Sequence, residues 1–195
     1  MIRRRKAAIA GAALISFGTW QIAEGGWIHA KAAVASRLVS IAWSETLANG
    51  RPARPWPWAD TWPVARLRFP SLGREMPVLA GASGATLAFG PGHLDGTDAP
   101  GAPGHSVIAG HRDTSFTLIG ALRPGDPVSV QRPDGRWRDY VVTGSAIADA
   151  RRPWQLPLPT RDRSALTLVT CWPLHAIVPG GPLRYLVFAE EAAAR

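Results

Sequence analysis

The chain has 195 residues, long enough for one domain with a real core. Its 20 glycines, 18 prolines and nine tryptophans, with only 18% charged residues, favour a loop-rich β protein over a helical bundle. The formal charge is +8, but Arg3, Arg4, Arg5 and Lys6 supply about half of it and the rest is scattered; without a basic stripe interleaved with aromatics, no nucleic-acid partner is expected.

The first element follows that basic flank. Ala7–Ala23 (AAIAGAALISFGTWQIA) is a 17-residue run without a charge. A positive flank before an apolar run marks a signal peptide or a membrane anchor, and 17 residues is at the lower edge of a span. The small-x-small sites Ala30-Lys31-Ala32 and Ala33-Val34-Ala35 lie past Glu24, beyond the apolar run. That favours an uncleaved single-pass anchor within residues 1–25. The cations before it place the N-terminus in the cytoplasm and everything after about residue 25 outside, in the periplasm or its equivalent.

Residues 26–63 read as a stalk and linker. Residues 30–48 look helical, with Val34, Leu38, Ile41 and Ala42 on one face and Asn49-Gly50 as the stop. On pattern alone this is a stalk leaving the membrane or an amphipathic helix of the domain. Residues 51–63 (RPARPWPWADTWP) hold four prolines, which exclude regular structure. Their three tryptophans pack on the domain or lie at a membrane interface.

Residues 64–195 are punctuated like a β protein. Strands are expected at Val64–Phe69, Met76–Leu79, Thr86–Phe89 and Ser106–Ala109, with a Gly/Pro loop over 90–104. A short helix is expected over Thr114–Leu122, stopped by Arg123-Pro124-Gly125-Asp126. Pro127–Gln131 and Arg138–Thr143 flank Pro133-Asp134-Gly135, a hairpin signal. A Pro-broken loop covers 151–164. Strands follow at Ala165–Thr170 and Arg184–Ala189, separated by the 172–183 loop. About eight short strands predict a mainly β fold, a closed antiparallel barrel or a sandwich.

Cys171 is the sole cysteine. Outside the cytoplasm, a thiol with no internal disulfide partner is an intermolecular link or a reactive group. A reactive thiol needs a neighbouring base or cation. Of the five histidines, His111 is the candidate: it follows a strand and Gly110, as Cys171 ends a strand, so neighbouring barrel strands would bring the two together. Arg184 opens the last strand, where it would face an anion or a developing oxyanion. Taken singly, each has an ordinary reading: a small buried hydrophobe, a turn histidine and a surface charge.

Three motifs in one order add a resemblance. TLVTC (167–171), GHRDTSF (110–116) and LRYLV (183–187) resemble the cysteine, histidine and arginine segments of sortases, the membrane-anchored cysteine transpeptidases. PGH (91–93) and PGAPGHSVIAGH (100–111) are similar to the loop and strand preceding the family's histidine. The resemblance covers roughly 64–190. PWPWADTWPVARL (55–67) and PGGPLRY (179–185) resemble the sortase type of Gram-negative proteobacteria.

The resemblance implies a sortase-like closed barrel of about eight strands with short helices. It implies Cys171 as nucleophile, His111 as acid/base and Arg184 as the positioning or oxyanion group. The implied substrate is a partner protein with an LPxTG-like C-terminal sorting signal, and an amine acceptor resolves the thioester. Thr170 and Trp172 beside the cysteine, and Asp113 after the histidine, are weaker candidates for substrate contacts; each is equally a packing or turn residue. No acidic cluster points to a metal, and no cofactor is expected. Three alternatives stay open: an extracytoplasmic cysteine peptidase, an L,D-transpeptidase-like enzyme, and a non-catalytic β-barrel binding module.

Overall fold

A computed structural model describes residues 2–153, 164–176, 178 and 180–192, without the side chains of residues 2–4, 6–10, 12, 13, 28 and 29. The side chains of most of the basic flank and of His29, and most of the expected 151–164 loop, therefore lie outside what is described. The chain divides into two compact units, Met1–Arg37 and Leu38–Arg195.

Helix α1 is Ile2–Asn49. In the first unit it exposes Leu14, Ile15, Phe17, Trp20, Ile22 and Trp27. Among the described residues no helix is long and apolar enough to cross a membrane. In the second unit α1 buries Val39, Ala42, Trp43 and Thr46. That face is rotated from the expected one: Val34 and Ile41 are exposed. Trp43 explains the shift, because its large ring is fully buried and its indole N–H donates to Gln131 Oε1 at 3.2 Å. Gly50, with φ +66°, ends the helix by donating its N–H to the Thr46 carbonyl.

The second unit is a barrel. Its strands are β1 (Pro63–Phe69), β2 (Arg74–Ala80), β3 (Gly92–His93), β4 (Gly104–Ala109), β5 (Pro127–Gln131), β6 (Trp137–Asp149), β7 (Ser164–Cys171) and β8 (Leu183–Glu191), with the short helix α2 (Gly84–Leu87) between β2 and β3. The sheet closes in the order β1-β2-β3-β4-β7-β8-β6-β5. Alternation builds the core: β1 points Ala65, Leu67 and Phe69 inward and Arg66 and Arg68 outward. β7 is buried on both faces up to Cys171, so SALTLVT carries no polar-out pattern.

The barrel is mixed rather than antiparallel throughout. β2–β3 and β4–β7 pair in parallel. Parallel neighbours require a crossover. Between β4 and β7 the β5–β6 hairpin supplies it, and between β2 and β3 the α2 segment does. Thr86–Phe89 is not a strand: Ser83 caps α2 by accepting from the Thr86 N–H at 3.2 Å, and this local bond overrides the β-branched and aromatic composition. The expected 114–122 helix is reduced to turns and a 3-10 turn at Ile119–Ala121. β6 extends well past Thr143 because a bulge between Val142 and Gly144 hands it from β5 to β8.

The β1–β2 and β5–β6 side is laced with ion pairs. Arg66 and Arg68 both meet Glu75 at 2.9 Å. Burial acts against the Glu75 charge, and the donors of Arg68 and Arg66 outweigh it, so the carboxyl titrates below its usual range. Glu191 is likewise held low: burial opposes its charge, but the Ser164 N–H and the Arg138 guanidinium prevail. Burial pushes the Tyr140 phenol up to about 12.

Candidate active site

Three neighbouring strands, in the order β4-β7-β8, build the site. β4 and β7 run in parallel, in register from Gly104↔Ser164 to Ala109↔Val169. Beyond β4 the chain stays on β7: the Gly110 N–H donates to the Val169 carbonyl at 3.0 Å, and the buried Thr170 hydroxyl donates to the Gly110 carbonyl at 2.7 Å. His111 therefore leaves β4 beside the end of β7 where Cys171 sits. On the other flank β8 runs antiparallel, with Cys171 paired directly to Arg184. Paired residues on such a ladder hold their Cβ atoms about 4.5–5.5 Å apart.

Local sequence dictates the turn after β4. A Cβ on residue 110 would lie 2.7 Å from the Phe116 ring, so only glycine allows the buried Phe116 to close over the turn. The Phe116 N–H then donates back to the His111 carbonyl at 2.9 Å. Apolar burial thus fixes the backbone that carries the imidazole.

Cys171, His111, Arg184 and Thr170 line one cleft of about 290 Å³. Val107 and Val169 also line it, and Leu87 from α2 and Leu94 just after β3 add apolar walls. Cys171 is a free thiol and half-buried. Arg184 donates to the carbonyls of Gly181 and Leu183 at 2.8 and 2.9 Å, and no carboxylate pairs with it among the described residues. A larger cleft of about 640 Å³ lies against β5 and β6, but no cysteine or histidine lines it. The smaller cleft is the one that brings a thiol, an imidazole and a guanidinium together.

The remaining histidines with described side chains are placed elsewhere. His105 Nε2 bonds the Thr167 hydroxyl at 2.7 Å, and His93 Nε2 bonds Thr97 and the Asp98 carbonyl at 3.0 Å. His175 is exposed in the loop after Cys171. Trp172 and Asp113 do not line the cleft: Trp172 stacks on Tyr185 at 5.7 Å, and Asp113 is exposed in the turn. Among the described residues no group of three or more His, Cys, Asp or Glu side chains lies together as a metal requires.

Two features escaped the sequence. Leu87 and Leu94 wall the cleft, one from a segment expected as a strand and found as α2, the other from the expected Gly/Pro loop. Arg112, inside GHRDTSF, is buried between the His111 turn and the loop after Cys171; its place in that motif was its only signal.

The family profile of the sortase domain matches residues 67–192. The chain belongs to the sortase family. It is 29% identical over 125 residues to sortase D of Bacillus subtilis, covering 64% of this chain and 62% of that relative. Among solved structures, sortase A of Corynebacterium diphtheriae superposes with a TM-score of 0.60 at 26% identity, covering 71% of this chain and 64% of that one. Sortase C-1 of Actinomyces oris gives 0.56 at 30% identity, covering 68% and 74%. The chain thus spans less than two thirds of the length of the first two.

Proposed function

We propose that this chain is a sortase-type cysteine transpeptidase acting on the C-terminal LPxTG-like sorting signal of a partner protein. One observation carries the reading: Cys171 ends β7 between the His111 turn on one neighbouring strand and Arg184 in register on the other, around one cleft. In the first half-reaction the Cys171 thiolate attacks the scissile carbonyl. The C–N bond breaks, His111 protonates the leaving amine, and a thioester remains. In the second, an acceptor amine attacks the thioester and gives up its proton to His111, and Cys171 departs. Arg184, which no carboxylate among the described residues neutralises, stabilises the oxyanion in both steps. The apolar walls at Leu87 and Leu94 suit a peptide with an aliphatic residue upstream of the cleaved bond.

The reading includes the Gram-negative proteobacterial type of sortase, supported by the 55–67 and 179–185 segments. It also includes a single-pass anchor within residues 1–25, with a cytoplasmic N-terminus and a periplasmic barrel. The basic flank, the apolar run Ala7–Ala23 and the exposed Leu14, Ile15, Phe17 and Ile22 support that placement.

The test uses the full chain in detergent with a panel of LPxTG-like peptides and a primary amine. The expected result is a new amide joining the peptide's N-terminal part to the amine. Hydrolysis at all amine concentrations would make the chain a peptidase instead. No cleavage across the panel would remove the substrate assignment.

A further inference from the structure

Arg112 is a buried cation held by neutral partners. It is 9% exposed. Its Nη1 donates to the Pro173 carbonyl at 3.1 Å and its Nη2 to the Val178 carbonyl at 2.8 Å. No carboxylate pairs with it among the described residues. Burying a charge is expensive unless its hydrogen bonds are well made, so the place of these two carbonyls matters.

Both belong to the connection between β7 and β8. Pro173 follows Cys171 by two residues, and Val178 precedes Arg184 by six. That connection joins the strand carrying the thiol to the strand carrying the cation. Arg112 itself follows His111. One guanidinium therefore ties the imidazole's turn to the segment that links the other two groups. The same connection rests on the 119–121 turn: a Cβ on residue 120 would lie 2.4 Å from a Leu174 methyl, so Gly120 permits that close approach.

We propose that Arg112 is a positioning residue for the reaction proposed above, holding the β7–β8 connection at Pro173 and Val178 against the His111 turn and so fixing Cys171 and Arg184 relative to the imidazole. The inference rests on the transpeptidase reading. Arginine suits the task because its planar fork spans two carbonyls at once, whereas a lysine ammonium is a point donor on a flexible stem. Displacing reacting groups by about 1 Å costs on the order of 10²-fold in rate.

The test compares the full-length wild type with Arg112→Met, Arg112→Lys and the control Arg138→Ala, an arginine paired with Glu191 away from the cleft. Peptide turnover is measured as kcat and KM separately, per Cys171 thiol alkylated by iodoacetamide in the folded protein. Hydrogen–deuterium exchange of the 172–183 segment is followed in parallel. Arg112→Met should stay folded and lose about 10²-fold in kcat with KM changed only a few-fold. Its 172–183 amides should exchange faster. Arg112→Lys should recover much of both effects, and Arg138→Ala should match wild type in both. Wild-type kcat per thiol in Arg112→Met, or a loss confined to the number of folded molecules, would overturn the proposal. If wild type cleaves no peptide, the transpeptidase reading fails on its own. The exchange arm then decides: unchanged exchange in Arg112→Met overturns the clamp.

Discussion

Two sets of barrel arginines are held in opposite ways. On the β1–β2 and β5–β6 side they meet carboxylates: Arg66 and Arg68 meet Glu75, Arg132 meets Asp134 at 3.5 Å, and Arg138 meets Glu191. Beside the cleft, Arg184 and Arg112 meet only backbone carbonyls among the described residues. A carboxylate cancels a cation's charge, and an exposed pair is worth roughly 0–1 kcal/mol. A carbonyl orients a guanidinium without neutralising it. The charge then remains for an anion formed during a reaction. The same residue type thus stitches the surface on one side, while at the cleft Arg184 keeps the uncancelled charge on which its proposed oxyanion role rests.

The largest way to break this contrast is to remove the cleft's chemistry. Cys171→Ala should abolish peptide turnover, and His111→Ala should lower it by about 10²–10⁴-fold, measured as initial rates. The sharpest form pairs two arginines. Arg184→Ala should reduce kcat by about 10²–10³-fold with little change in melting temperature. Arg138→Ala should leave kcat alone and cost roughly 0–1 kcal/mol in denaturant unfolding. Thr170→Val leaves the Gly110 carbonyl without its buried donor and should cost about 1–3 kcal/mol, read from the same unfolding curves.

The pH dependence should be smaller and should come from the ion-paired side. Tyr140 has its folded pKa raised to about 12. Its stabilising contribution is therefore complete below the phenol's ordinary value and is lost as pH rises through about 12. Tyr140→Phe should flatten that alkaline loss. Glu191 has its folded pKa lowered. Its contribution is present above the ordinary carboxyl range and lost as pH falls through the folded value, and Glu191→Gln should remove that part of the acid loss.

The sequence carried the strand-by-strand outline where alternation or turn chemistry was local. β1 and β5 and the Pro133-Asp134-Gly135 hairpin show this. It misled where a tertiary or capping bond outweighed composition. Ser83 turned the 84–87 segment into α2, and Trp43 set the buried face of α1. The length of β6 was hidden because its second half, TGSAIAD, pairs with β8 only after a bulge. At the site, the order of three motifs named Cys171, His111 and Arg184, and the register brings all three to one cleft. Parallel pairing of β4 with β7 could not be read, because a short continuous apolar run such as that of β7 fits a parallel strand and a sandwich-core strand alike. Arg112 was equally hidden, since its partners are carbonyls of a segment some sixty residues later.

The central claim is that Cys171 owes its chemistry to the groups that β4 and β8 bring beside it. Intact-mass measurement of the full chain with an LPxTG-like peptide and no amine tests this most directly. Wild type should gain the mass of the peptide's acyl fragment on Cys171. Cys171→Ala should gain none, and His111→Ala and Arg184→Ala should gain it far more slowly. A wild-type thiol that iodoacetamide alkylates but no peptide acylates, or one acylated equally fast without His111 and Arg184, would contradict the account.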